Sequence, residues 1–254
     1  MSKQVLQKNI LEGLFKAKGI RAVLFDLDDT LIRTGDMIIS KMRGFSEAVS
    51  SGGVGRTAEE MYLSLREEND KAYEKFAVRR SKWRYSVDEL KMAFDEKHHS
   101  VLDEAFPILA SIFETSPELI EGAVEALQVI SGLDGIAFAL VTHSDEDWVD
   151  RKLSGTGLDN FFDAENTYVV DMREHKSSKH WLNVVQELSL KPHEVLVVGD
   201  SLPGDIRAAH EIGVKYKVWI PSGWSKYNFG EVPEGTYQIK SIGELIDLLH
   251  RELL

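Results

Sequence analysis

Hydrophobic and polar positions divide the chain into stretches of different period. Ala22 to Phe25 is a short, unbroken apolar run with β-prone Val23 and Phe25, and it stops at Asp26. Such a run predicts a strand buried on both faces, as in a parallel sheet covered by helices. Upstream, Val5, Leu6, Ile10, Leu11, Leu14 and Phe15 recur at helical spacing with polar residues between them, which predicts an amphipathic helix and not a signal-peptide core. From about Gly35 to Glu114 the period stays helical. Met37, Ile38, Met42, Phe45 and Val49 form one amphipathic stretch, closed by Ser50-Ser-Gly-Gly53. Thr57 with Glu60 is a capping-box signal for a second helix, and Ser86 with Glu89 for a third. Pro107 is expected to kink or divide that third stretch. The interval contains no convincing strand. It reads as an all-helical module, residues 34–115, inserted into an α/β core made of 1–33 and 116–254.

The mixed pattern then resumes. Thr115 to Glu118, with Pro117 near the first turn, predicts a helix start, followed by Leu119, Ile120, Ala123, Val124, Leu127 and Ile130. Ile136 to Val141 is a second buried run, ending at Thr142 and His143. Tyr168 to Val170 is a short strand ending at Asp171. A helix with Trp181, Val184, Val185 and Leu188 on its apolar face precedes the strand Val195 to Val198, which ends at Gly199 and Asp200. Pro203 to Ile212 is expected to be helical, Tyr216 to Ile220 a strand, and Ser241 with Glu244 opens a last amphipathic helix. Alternating strands and helices imply right-handed crossovers and a mainly parallel, Rossmann-like sheet with helices on both faces.

Charge narrows the partners. With 30 basic and 42 acidic residues the net charge is −12, which argues against a nucleic-acid backbone or an anionic membrane as main partner. No stretch is apolar for long enough to span a bilayer, so a cytoplasmic protein is expected. The chain has no cysteine, which removes disulfides, thiolate metal sites and cysteine nucleophiles.

Chemistry concentrates after the first strand. Asp26, Asp28 and Asp29 place three carboxylates within four residues. Carboxylates this close raise one another's pKa unless something offsets the charge, and an oxygen-seeking cation such as magnesium is the simplest offset. Three apolar strands end in Asp26, Thr142 and Asp200, and the strand ends of a parallel sheet lie along one edge. With a lysine from the loop before a helix, these groups suit phosphoryl transfer.

Together the residues resemble the haloacid dehalogenase superfamily, phosphatase branch. Its signatures are matched by Asp26-Leu-Asp28-Asp29-Thr30, by Thr142, by a lysine before a helix, and by Gly199-Asp200 followed by Asp205. The helical interval sits where that family places its first kind of cap. The resemblance implies that Asp26 attacks phosphorus and forms an aspartyl-phosphate. Asp28 then protonates the leaving alcohol and later activates water. Asp26, the backbone carbonyl of Asp28, and Asp200 would hold Mg2+, with Asp205 assisting. Thr142, a backbone N–H of His143, and the lysine would bind phosphoryl oxygens. Lys176 stands at the better distance for that lysine, with Lys179 as the other candidate. The implied substrate is a small phosphorylated metabolite. A sugar phosphomutase would share this chemistry, and a catalytically silent binding protein would share the fold.

Some features fall outside these signatures. Asp29 reads as a turn residue, and Thr30 is expected to orient the acid/base carboxylate. Asp145 and Asp147 are expected to begin a helix. His98 and His99 are adjacent and diverge on a helix, so they do not form a metal pair. Arg79-Arg-Ser-Lys82-Trp83-Arg84-Tyr85 is basic and aromatic. It reads as a loop that selects the leaving group, as a nucleic-acid contact, or as a solvated loop.

Overall fold

A computed structural model describes residues 3–223 and 228–252. Met1, Ser2 and the side chains up to Gln7, hence the expected apolar contacts of Val5 and Leu6, lie outside the described residues. Helix α1 (Lys3–Lys18) leads into β1 (Ala22–Phe25). Four helices follow: α2 (Thr34–Ser51), α3 (Ala58–Phe76), α4 (Ser81–Lys91) and α5 (His99–Ala110). Then come α6 (Ala123–Ser131), β2 (Ala137–Ser144), α7 (Glu146–Thr156), β3 (Thr167–Asp171), α8 (Ser178–Glu187) and β4 (Val195–Gly199). The chain continues through α9 (Ala208–Glu211), β5 (Tyr216–Trp219), β6 (Thr236–Gln238) and α10 (Leu245–Glu252). The six strands form one parallel sheet in the order β3-β2-β1-β4-β5-β6.

Strand β1 lies inside the sheet, and its side chains alternate between two layers. Val23 and Phe25 join Leu140, Leu196 and Val198 in a core closed by Phe15 of α1, Leu127 of α6 and Leu248 of α10. Ala22 and Leu24 face the opposite way, toward Val141 and Val197 and against Trp181 and Val185 of α8. Both faces are therefore covered, which is why the strand is an unbroken apolar run. The helical insert has a separate apolar cluster built from Met42, Phe45, Met61, Leu65, Trp83 and Leu109, to which α7 contributes Trp148. No described helix is long and apolar enough to cross a membrane.

Several local expectations are corrected. Ser86 does not open a helix. It lies inside α4, fully buried, and its hydroxyl donates to the carbonyl of Lys82 at 2.9 Å. Trp83, Val87 and Leu90 repeat at helical spacing and start the helix one turn earlier. The basic, aromatic cluster 79–85 thus runs into the first turn of α4 and is not a loop. The break expected at Pro107 falls between Met92 and Asp95 instead, and α5 runs through Pro107 to Ala110. The helix expected from Thr115 starts only at Ala123, after Gly122 at φ 85°. A side chain at Gly122 would bring Cβ to 2.4 Å from Gly243 Cα. Residues 118–120 are extended because they pair with the segment leaving β1: Arg33 N–H donates to Glu118 O at 2.8 Å and Ile120 N–H to Leu31 O at 2.9 Å. Outgoing and returning chains of the insert are thereby clamped together. The turn expected as a regular helix from Pro203 is a wide π turn over Leu202–Arg207 that narrows into α9.

Candidate active site

The carboxyl end of the sheet gathers the charged groups. Asp26 follows β1, and its N–H donates to Val198 O of β4 at 2.9 Å. Asp26 is 6% exposed. Lys176 Nζ donates to Asp26 Oδ1 at 2.6 Å, and Thr30 Oγ1 donates to Oδ2 at 3.2 Å. Thr30 therefore orients Asp26, which corrects the expectation that it orients Asp28. Burial pushes the Asp26 carboxyl up to about 7 against the pull of Lys176, with Asp205 and Asp28 adding to the rise.

Lys176 is buried between two acids. Its Nζ is also 2.7 Å from Asp205 Oδ1 and donates to Val141 O at 2.6 Å. Burial works against its charge, but Asp205 and Asp26 hold it above the ordinary lysine value. Lys179 points outward and pairs with Glu174 at 3.3 Å.

Asp26, Asp200 and Asp205 offer oxygens that all lie within 4.8 Å of one another. Ser222 Oγ donates to Asp200 Oδ2 at 2.6 Å, and Ser201 N–H donates to Asp205 Oδ2 at 3.0 Å. Burial, then the charges of Asp26 and Asp205, raise Asp200 well above the ordinary carboxylate range. Gly199 makes the convergence possible, since a Cβ there would stand 2.4 Å from Asp205 Oδ2. Three mutually repelling oxygen donors are the arrangement that a hard divalent cation relieves.

The side chain of Asp28 is outside that trio. Lys152 Nζ of α7 donates to its oxygens at 2.7 and 2.8 Å, and Thr34 Oγ1, at the first residue of α2, donates to Oδ1. Lys152 is fully buried, with the Trp148 ring 3.6 Å from its Nζ. Asp29 takes the left-handed turn at φ 58° and accepts a hydrogen bond from Gly35 N–H at 2.8 Å; burial raises its carboxyl to about 7. The signal for Lys152 was present in the sequence. Trp148, Val149, Lys152 and Leu153 share one buried helix face, and a lysine on an apolar face needs a partner. Thr34 and Ser222 carried no comparable signal.

Asp26, Asp28, Lys176, His143 and Asp200 line a cavity of about 720 Å3. Its far wall comes from the insert, with Asn69, Tyr73, Lys82 and Trp83. Thr142 does not line it. Thr142 is fully buried on β2, and among the described residues its Oγ1 has no hydrogen-bond partner. His143 is held neutral, burial pushing its imidazole down to about 4 with Lys176 adding to the shift. Asp145 caps α7 by accepting from Trp148 N–H at 3.0 Å, and it also pairs with Arg80 at 2.7 Å. His99 is taken up by the carbonyls of Lys91 and Phe94.

A family model described as haloacid dehalogenase-like hydrolase matches residues 20–213. The chain is 26% identical over 241 residues to the N-acylneuraminate-9-phosphatase of Rattus norvegicus, covering 91% of this chain and 94% of that protein. It is 30% identical over 197 residues to a putative pyrophosphatase PpaX of Caldanaerobacter subterraneus, covering 77% and 80%. A haloacid dehalogenase-like family hydrolase from Xanthomonas campestris superposes with a TM-score of 0.68 at 20% identity, covering 92% and 94%, which is a likeness of fold.

Proposed function

The chain belongs to the haloacid dehalogenase-like hydrolases, and from that membership we propose that it is a magnesium-dependent phosphatase acting on a small organic phosphate monoester through an aspartyl-phosphate on Asp26. Relatives named as a phosphatase and a pyrophosphatase support a phosphoric ester hydrolase. The observation that carries the reading is the setting of Asp26. One of its oxygens is fixed by Lys176, the other by Thr30, and Asp200 and Asp205 stand within 4.8 Å.

Each residue has a role in this reading. The Asp26 carboxylate attacks phosphorus, and the ester oxygen leaves with a proton from Asp28. Asp28 then takes a proton from water, which attacks the acyl phosphate, releasing inorganic phosphate and restoring Asp26. Lys176 offsets negative charge between Asp26 and Asp205. The region of His143, which lines the cavity, is proposed for phosphoryl oxygens, and the Oγ1 of Thr142, buried off the cavity, would join it only by turning toward the ligand. Asp26, Asp200, the backbone carbonyl of Asp28, and Asp205 are the groups that would hold Mg2+. Bound there, the ion would reduce repulsion between Asp26 and an anionic phosphate.

We propose 34–115 as the cap. Among the contacts that join it to the core are the Arg80–Asp145 pair and the ring pairs Tyr73–His175 and Phe113–Trp148, at 5.2 and 4.7 Å between centroids. Closure of this kind excludes bulk water from the first step. A cytoplasmic setting, where phosphorylated metabolites and magnesium coexist, belongs to the same proposal.

The test is release of inorganic phosphate from an aryl phosphate with and without magnesium, together with hydroxylamine trapping of the acyl phosphate. The reading expects magnesium-dependent release and a trapped adduct on Asp26. Unchanged turnover in D26N would overturn it.

A further inference from the structure

The cap wall of the cavity holds two buried polar groups that the reaction does not use. Lys82, in the first turn of α4, is 7% exposed and lines the cavity. Its Nζ lies 4.9 Å from the Trp83 ring centroid and 5.5 Å from that of Tyr73. Among the described residues no hydrogen bond or ion pair within 4 Å holds that nitrogen. Burial pulls the amine down to about 8, and the charge of Asp70 offsets this only in part. Asn69, on α3, is 2% exposed and lines the same cavity, and among the described residues its Oδ1 accepts no hydrogen bond.

The core wall is different. There Lys176 is matched by Asp26 and Asp205, and Lys152 by Asp28. Lys82 has no contact pair of that kind, Asp70 offsetting its charge only in part; an ammonium so placed inside a protein is costly, and so is a buried carbonyl oxygen without a donor. Aromatic faces repay part of the first cost and none of the second. Both groups line the same cavity as Asp26, so a ligand with its phosphoryl group at Asp26 shares that space with them.

We propose that Lys82 and Asn69 form a second subsite, which takes an anionic group carried by the leaving half of the substrate and a hydroxyl or amide N–H beside it. The anion, a carboxylate or a second phosphate, pairs with Lys82, and the donor satisfies Asn69 Oδ1. The inference rests on the phosphatase reading and narrows its substrate to a bifunctional one. A neutral, donor-free leaving group leaves both cap groups unpaired, and such sites reject analogues strongly.

Two measurements on the full chain test this. In the first, kcat/KM is compared among an aryl phosphate, a phosphorylated hydroxycarboxylic acid and pyrophosphate. The wild type is expected to prefer one of the last two by about tenfold or more. K82M and N69A each reduce that ratio toward one, and K82R restores part of it. The favoured member tells a carboxylate from a second phosphate. In the second, sulfoacetate, with a sulfonate for the phosphoryl position and a carboxylate beyond it, is titrated against methanesulfonate. Tighter binding of sulfoacetate that disappears in K82M supports the subsite. Circular dichroism of each variant verifies its fold. Equal affinities, or a preference that survives in folded K82M, overturn it. Lys82-dependent binding without phosphate release from any ester would sustain the subsite while defeating the phosphatase reading.

Discussion

Lys152 Nζ contacts both carboxylate oxygens of Asp28, at 2.7 and 2.8 Å, from a position that is wholly buried against Trp148. The pair fixes the proposed acid/base carboxylate from a helix that starts 118 positions further along the chain, counting from Asp28 to Glu146. Trp148 belongs to the apolar cluster of the helical insert, and Thr34 is the first residue of α2. Asp28 is thus braced from both α2 and α7.

If Lys152 acts through Asp28, K152M should harm substrates in proportion to their need for a proton donor. General acid catalysis contributes about 10²- to 10⁴-fold, and a poor alkoxide leaving group needs it more than an aryl oxide does. Turnover of an alkyl phosphate should fall by about 10²-fold and that of an aryl phosphate by less than about tenfold. Equal losses on the two substrates would mean that Lys152 only supports the fold.

Lys176 and Lys179 are separated by three positions and by their surroundings. K176M strips the counter-charge from two buried acids, and breaking such a pair costs about 3–5 kcal/mol. Activity should fall by at least about 10²-fold, the scale of losing one stabilising donor. Magnesium should raise the melting temperature of K176M more than that of the wild type, because the cation supplies part of the missing charge. K179A removes an exposed pair and should stay within about twofold in rate and 0.5 kcal/mol in stability. Steady-state kinetics and thermal melts with and without magnesium decide both cases; similar effects at the two positions would refute the assignment of Lys176.

At Gly199 the prediction is steric. A Cβ there would lie 2.4 Å from Asp205 Oδ2 and 2.7 Å from Asp205 Cβ. Asp205 is 1% exposed and held by Ser201 N–H, so it cannot retreat without losing that bond. G199A should cost about 1–3 kcal/mol by overpacking. It should also raise the magnesium concentration for half-maximal activity by about tenfold or more, the range seen when groups that orient ligands are lost. A magnesium titration indistinguishable from wild type would show that Asp205 has no part in holding the ion.

The sequence revealed most where local pattern and tertiary environment agree. The runs 22–25 and 195–198 are apolar at every position because both sheet faces are covered, and the pattern needs no partner to be read. The Ser86–Glu89 pattern misleads because a capping box is defined by four residues, whereas Trp83, Val87 and Leu90 bind α4 to the apolar cluster of the helical insert from an earlier start. Residues 118–120 looked helical because Leu119 and Ile120 fit the spacing, yet their backbone is claimed by Leu31 and Arg33 from the other side of the insert. The site was similarly divided. Asp26, Asp200 and Asp205 stand in short motifs that end strands, but the Lys152–Asp28 and Ser222–Asp200 contacts exist only after folding.

Lys82 leads to a stability prediction whose sign follows from burial. Its amine is pulled from the ordinary lysine value of 10.5 down to about 8, chiefly by burial, with Asp70 opposing the shift. Below about pH 8 both folded and unfolded chains carry the proton, and the folded state bears the full cost of a buried charge. Between about 8 and 10.5 the folded chain releases the proton while the unfolded chain keeps it, so this cost shrinks as pH rises. K82M, of similar length and without charge, should therefore stabilise the protein at pH 7 by up to about 3 kcal/mol. The gain should fade toward pH 10. Urea unfolding of wild type and K82M at the two pH values measures it directly, and a K82M protein less stable than wild type at pH 7 would refute it. If Lys82 holds an anion as proposed, an anionic ligand there should stabilise the wild type and leave K82M unmoved.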